Sequence, residues 1–399
     1  MQICICRVRV EYVKLEEICT IVSGGTPSRS KPNYWNNGNI PWIKIKDMKS
    51  KYIDSAEEFI TEEGLNNSST KMLKRDTILY SIFATLGEVG ILKIDACTNQ
   101  AIAGLSLKED SNILKEYLYY YLKSKKKDVN NLGRGVAQNN INLSLLRKFR
   151  IPVIPLHQQE KIIGVLDNVS NTINNYEREI YLLDELVKAR FVEMFGDPVI
   201  NSCQFPVQPM TDICDIIDGD RGKNYPKSEE ILDDGYCLFL NAKNVTQKGF
   251  DFENCNFITR EKDDALRNGK LSRGDVVLTT RGTVGNLAYY SKNVPYENIR
   301  INSGMVILRM NRSILNEIYF IELFKMKLSD IKEKIASGSA QPQLPISTMN
   351  KIILMIPPLE LQNQFASFVE EIDKSRSRIQ KSLEASQELF DSLMQEYFG

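Results

Sequence analysis

"GVAQNNINLSLLRKFRIPVIPLHQQEKIIGVLD" occupies residues 135–167, and "GSAQPQLPISTMNKIILMIPPLELQNQFASFVEEID" occupies 338–373 of the same chain. Each passage runs from glycine and glutamine through a short apolar stretch and a proline beside a leucine. A glutamine-bearing polar patch then leads into a long charged heptad. Such doubling asks first for a search for internal repetition. Upstream, "LEEICTIVSGG" (15–25) matches "MTDICDIIDGD" (210–220), and "IKIKDM" (43–48) matches "LNAKNV" (240–245). "LKRDTILYSIFATLG" (73–87) matches "LSRGDVVLTTRGTVG" (271–285), and "TNQAIAGLSL" (98–107) matches "INSGMVILRM" (301–310). The offset between copies drifts from 195 to 203, then holds at 203 until Phe195-Gly196 meets Phe398-Gly399. Drift marks loop insertions. A constant offset marks a segment whose length is constrained.

The constrained segments carry the period of a coiled coil. Ile162, Leu166, Val169, Ile173, Tyr176, Ile180, Leu183, Val187, Arg190 and Met194 step by four and three, and so do Phe365, Val369, Ile372, Arg376, Ile379, Leu383, Ser386, Phe390, Leu393 and Tyr397. Where one copy has a polar seam residue, the other is apolar at the matching position, so the two stripes suit burial against each other. The variable parts mix strands and helices. Strands are predicted at 40–46, 76–83, 101–107, 236–242, 275–280 and 304–310, and a helix in each copy at 113–125 and 314–335. The expected fold class is α+β/mixed: two α/β domains in tandem with pseudo-two-fold symmetry, separated by two long helices forming an antiparallel coiled coil. The expected boundaries are 1–155 and 197–357 for the domains, and 156–196 and 358–399 for the helices.

Composition narrows the chemistry. With 42% apolar and 26% charged residues, the chain reads as folded protein. No apolar run reaches the 18 or so residues of a membrane span, and the N-terminal stretch does not resemble a signal peptide. The eight cysteines include no C-x-x-C pair and read as reduced thiols, which points to the cytoplasm. The single histidine, His157, falls at the mouth of a predicted helix opposite Glu360, which disfavours a histidine relay or a multi-histidine metal site. No phosphate-cradling or dinucleotide glycine motif is present, nor the N/D-P-P-aromatic signature of amino-methyltransferases. The net charge is zero but uneven, with 1–150 basic and 151–200 and 356–399 acidic. Grip on nucleic acid by bulk charge is therefore excluded, while local phosphate contact is not.

Several loops suit a duplex. Residues 23–51 mix glycines and aromatics with Thr26, Ser28, Arg29, Lys31, Lys44 and Lys46. The equivalent loop, "DGDRGKNYPKSEE" (218–230), offers Arg221, Lys223, Asn224 and Lys227. Lys243, Asn244, Arg281 and Thr283 follow in the second copy, and the doubled passages contribute Arg134, Gln138, Asn139, Gln341 and Gln343. Amides and guanidinium groups on a close-approaching backbone suit base edges and phosphates. No catalytic residue and no metal ligand is expected.

The repeat and its two helix openings, "IPLHQQEKIIGVLD" and "IPPLELQNQFASFVEEID", resemble the specificity subunit of Type I restriction–modification enzymes. "GGTPS", "IPWIKIKDM" and "TNQAIA" resemble that family's first target-recognition domain, whereas "GDRGKN" departs from the glycine-threonine-proline pattern in the second copy. The resemblance implies a non-catalytic reader of double-stranded DNA. Each domain would contact one half of a bipartite site, and two antiparallel helices would hold the domains apart and dock two methyltransferase (M) subunits. It places S-adenosylmethionine on those partners, and ATP and Mg on restriction–translocation (R) subunits where these join, with no cofactor in this chain. A helix of about 36 residues spans about 54 Å, enough to set domain centres one duplex turn, about 34–36 Å, apart. The rival readings are a coiled-coil scaffold, which leaves the two loop-rich copies unexplained, and a fused methyltransferase–nuclease, which lacks its motifs.

Overall fold

The computed structural model describes residues 11–133, 141–336 and 343–399. The chain forms two compact units, 1–177 with 381–399, and 178–380. Each unit takes one half of each of two 40-residue helices, Leu156–Phe195 and Leu359–Phe398. The boundaries of the compact units thus fall inside the helices.

Both units repeat one plan. In the first, a five-stranded sheet has the order Cys19–Ser23, Ile102–Leu107, Ile78–Ser81, Val89–Leu92, Tyr52–Ile53. A three-stranded sheet, Glu58–Ile60, Ile40–Ile43, Cys97–Thr98, accompanies it. The second unit answers with Cys214–Asp218, Met305–Met310, Val276–Thr279, Leu287–Tyr289, and with Phe257–Ile258, Cys237–Leu240, Ile299–Ile301. Within the larger sheets only Tyr52–Ile53 against Val89–Leu92 is parallel. The central strands are apolar on both faces because both are covered. Ile78 and Tyr80 enter the core shared with the long helices, while Leu79 enters the core between the two sheets. Val276 and Leu278 face the helix side in the second unit, and Val277 the other. The predicted helices are found at Lys115–Ser124 and Glu317–Ala336.

The long helices pair antiparallel where the contacts within the second unit settle it. Phe191 meets Phe365 with ring centroids 5.4 Å apart, and Asp184 pairs with Arg376 at 2.6 Å, so rising numbers on one helix meet falling numbers on the other. The seam residues Leu166, Ile173, Val187, Phe365, Val369 and Phe390 are buried as the heptad predicts. Phe191, Phe195, Met394 and Phe398 are buried too, although each falls one place after a predicted seam position. There the helix end packs on an α/β core as well as on its partner, and the buried stripe widens beyond a coiled-coil seam.

The doubled passage has a structural reason. Gln159 and Gln362 are both fully buried. The Gln159 carboxamide accepts from Leu114 N at 2.8 Å and donates to the carbonyls of Asn112 and Ile154. Gln362 accepts from Asn316 N at 2.9 Å and donates to Ile314 and Pro357. One side chain in each copy thus ties the loop before the short helix to the strand that launches the long one. Gln362→Leu keeps the volume but strands one amide and two carbonyls, so it is expected to cost about 2–3 kcal/mol. Denaturant unfolding with the midpoint unchanged would contradict this role.

Candidate nucleic-acid interface

In each unit three loops meet at one corner. The first follows the strand Cys19–Ser23, where Gly24 N donates to Ile102 O at 3.0 Å and Gly25 N to Thr98 O at 2.9 Å. A Cβ on Gly24 would stand 2.1 Å from Asn99 O, so only glycine lets these backbones approach. Gly219 repeats the device, with a Cβ position 2.3 Å from Asn302 O. The second loop is the turn that carries those asparagines. The third is the hairpin loop after Ile78–Ser81 or Val276–Thr279. Its base is tied by Ser81 Oγ, which accepts from Glu88 N at 2.7 Å, and by Thr279 Oγ1, which accepts from Asn286 N at 2.9 Å.

Backbone bonds join the second and third loops to each other and to the segment that follows the unit's helix. Ile82 N donates to Ala101 O and Ile141 N to Ile82 O in the first unit. In the second, Thr280 N and Arg281 N share Gly304 O, and Leu344 N donates to Thr280 O. Arg281 and Gln343 are bridged as antiparallel partners, and the Arg221 guanidinium reaches Ser303 O at 3.3 Å while pairing with Asp218. Arg221, Arg281, Thr283 and Gln343 therefore gather at one exposed corner. At the matching corner of the first unit, exposed Thr26 hydrogen-bonds the amide of exposed Gln100.

Other candidate residues are already engaged. Arg29 lies over the Trp35 ring, 3.6 Å from its centroid, and pairs with Glu58, which also holds Lys44. Burial works to raise the Glu58 carboxyl, but hydrogen bonds from Lys44 and Arg29 outweigh it and hold it below the usual carboxylate range. Lys46 pairs with Glu57, and Lys31 donates to Tyr34 Oη at 2.9 Å. Ser28 shares a hydroxyl contact with Ser30, and its carbonyl accepts from Trp35 Nε1. These residues shape the first loop, and their charge reaching outward is largely offset. In the second unit Lys223, Lys227 and Lys243 are exposed, while Asn224 donates to Ala265 O at 2.9 Å. Asn244 is buried, with its amide spent on Asp251 O, Asn254 O and Asn241 N, so it serves the fold and offers no face to a ligand. Arg134, Gln138, Asn139 and Gln341 lie outside the described residues.

Motif reasoning passed over Gln100 and Phe83. Repeat alignment places Thr26 opposite Arg221, Gln100 opposite Ser303 and Phe83 opposite Arg281, and that alignment was the signal able to find them. Among the described residues no group of three or more His, Cys, Asp or Glu side chains is arranged to hold a metal ion. No helix among them is long and apolar enough to cross a membrane.

Comparison with known proteins agrees with the repeated fold. The chain is 27% identical over 404 residues to the Type I restriction enzyme MjaIX specificity subunit of Methanocaldococcus jannaschii, spanning 96% of this chain and 90% of that one. It is 34% identical over 172 residues, 42% of each chain, to the EcoR124I/EcoR124II specificity subunit of Escherichia coli. The fold is similar to the crystal structure of a Type-I restriction-modification S subunit from M. genitalium, with a TM-score of 0.54 at 17% identity, covering 100% of this chain and 98% of that one. The family model for the Type I restriction modification DNA specificity domain matches twice, at residues 7–182 and 205–387. The repeated α/β unit, the shared long helices and these two matches place the chain in the family of Type I restriction–modification DNA specificity subunits.

Proposed function

We propose that this chain reads a bipartite site on double-stranded DNA, one half with each α/β unit, and contributes no catalytic group itself. The observation that carries this reading is the corner common to both units. One backbone scaffold of three joined loops recurs in each copy, while the side chains it presents differ, Thr26 and Gln100 in one and Arg221 and Arg281 in the other. A shared scaffold with divergent tips suits two half-sites of different sequence. Arg221, Arg281, Thr283 and Gln343 are the contact set in the second unit, with Lys223, Lys227 and Lys243 available to phosphates.

The 40-residue helices act as the ruler between half-sites and as the docking surface for two methyltransferase subunits. Recognition modules then correspond to 1–155 and 197–357, and spacer helices to 156–196 and 358–399. S-adenosylmethionine belongs to the methyltransferase partners, and ATP and Mg to restriction subunits where these join. A cytoplasmic location follows from this role.

Competition in the assembled methyltransferase complex tests the reading. A duplex carrying the mapped methylation site should outcompete a random duplex by about 10³-fold or more, and equal competition would overturn the function. Inserting four residues, about one turn, into both helices should change the tolerated spacer length and leave both half-site sequences intact. Altered half-sites would refute the ruler.

A further inference from the structure

We propose that Phe83 is a base-reading residue whose ring contacts the 5-methyl group of a thymine in the half-site of the first unit. This rests on the DNA-reading function above and names a residue that neither the motifs nor the basic loops pointed to. Phe83 sits at the tip of the hairpin loop 82–87 and leaves 47% of its surface exposed. A single exposed apolar residue is ordinary. Three observations set this one apart.

The residue before it, Ile82, is braced through both its backbone groups, Ile82 N donating to Ala101 O at 2.8 Å and Ile82 O accepting from Ile141 N at 2.9 Å. The residue after it, Ala84, is left-handed at φ 63°, matching Gly282 at φ 71° in the second unit. An alanine there is strained where glycine is free, yet the turn is kept in both copies. Finally, the residue on the same scaffold in the second unit is Arg281, exposed and without an ion pair among the described residues. Phenylalanine against arginine is the contrast between a thymine methyl and the O6/N7 edge of guanine, both displayed in the major groove. The neighbouring position varies in the same sense, with Thr26 opposite Arg221.

The test uses the chain assembled with its methyltransferase subunits and duplexes bearing the mapped site. Each thymine of the half-sites is replaced in turn by deoxyuridine, which removes only the methyl group. Wild type should lose about fourfold in affinity at one position of one half-site, the equivalent of ~0.8 kcal/mol for one buried methyl. Phe83→Ala should bind that duplex and its deoxyuridine version equally, keep the other half-site's preferences, and melt at the wild-type temperature. Arg281→Ala should relax one guanine in the opposite half-site. A wild-type complex that ignores every methyl, or a Phe83→Ala complex with the wild-type deoxyuridine profile, overturns the proposal while leaving the DNA-reading function standing. Loss of complex assembly by Phe83→Ala would also overturn it, assigning the ring to a protein partner. Only a wild-type complex blind to sequence would overturn the function itself.

Discussion

Arg300→Met is expected to destabilise the second unit by about 3–5 kcal/mol, because it removes the main partner of a buried carboxylate. Asp263 is fully buried and Arg300 nearly so. The guanidinium binds the Asp263 carboxylate through Nε and donates from Nη1 and Nη2 to the carbonyls of Asp263, Leu266 and Asn268. Lys270 completes the site from its more exposed side. The first unit holds Leu65 and Cys97 at the equivalent positions, beside Trp42 and Ile60. One chain thus contains both solutions to the same packing problem, an ion pair and an apolar cluster. Removing one ion strands the other, whereas replacing both with apolar residues avoids that cost. The double variant Asp263→Leu/Arg300→Met should therefore recover most of the loss. Hydrogen exchange resolved over residues 257–301 checks it, and unchanged exchange in Arg300→Met would refute the assignment. Acid should act on the same pair. Burial works to raise the Asp263 carboxyl, but hydrogen bonds from Lys270 and Arg300 hold it below the usual value. Its stabilisation is complete above the unfolded aspartate pKa of about 3.9. It is lost as pH falls from there through the lower folded value.

Phe191→Ala should cost a similar amount, about 3–5 kcal/mol. The ring is fully buried and stacks on Tyr319 at 5.6 Å, meets Phe195 at 5.0 Å and stands edge-on to Phe365 at 5.4 Å. Truncation opens a cavity where both long helices and the helix Glu317–Ala336 converge. The Phe195, Tyr319 and Phe365 rings that line this space are themselves held on helices and cannot readily collapse into it. Leu186 is the control, since it is 46% exposed on the same helix, and Leu186→Ala should stay within about 0.5 kcal/mol. Urea unfolding of the two variants separates the cases. Equal midpoints would show that the helix pair is not anchored through this cluster.

Much of this molecule was legible in its sequence because repetition is a long-range signal that survives local ambiguity. The constant offset and the heptad together marked the two long helices, and the heptad named most of the buried seam. Phe191 and Phe195 escaped it because a heptad describes two helices alone, and these residues serve a third surface. The loop at 23–51 reads as suited to phosphates and base edges, yet Arg29, Lys44 and Lys46 meet Glu57 and Glu58, which a list of positive charges does not pair. Asn244 has the composition of a base reader and the burial of a clamp.

By itself the sequence determined the two-fold repeat, the paired long helices, the absence of known catalytic motifs and the family resemblance. Each of these depends on order and spacing along the chain. Tertiary structure alone decided which polar groups are spent inside the fold and which remain outside. Gln159 and Gln362 are consumed three ways, whereas Phe83 and Arg281 are held outward on one scaffold. That division turns on partners far apart in the chain, such as Gln100, 74 residues from Thr26, and Arg376, 192 residues from Asp184. Hydrogen bonds and ion pairs are short-ranged in space, so only the folded chain brings such partners together.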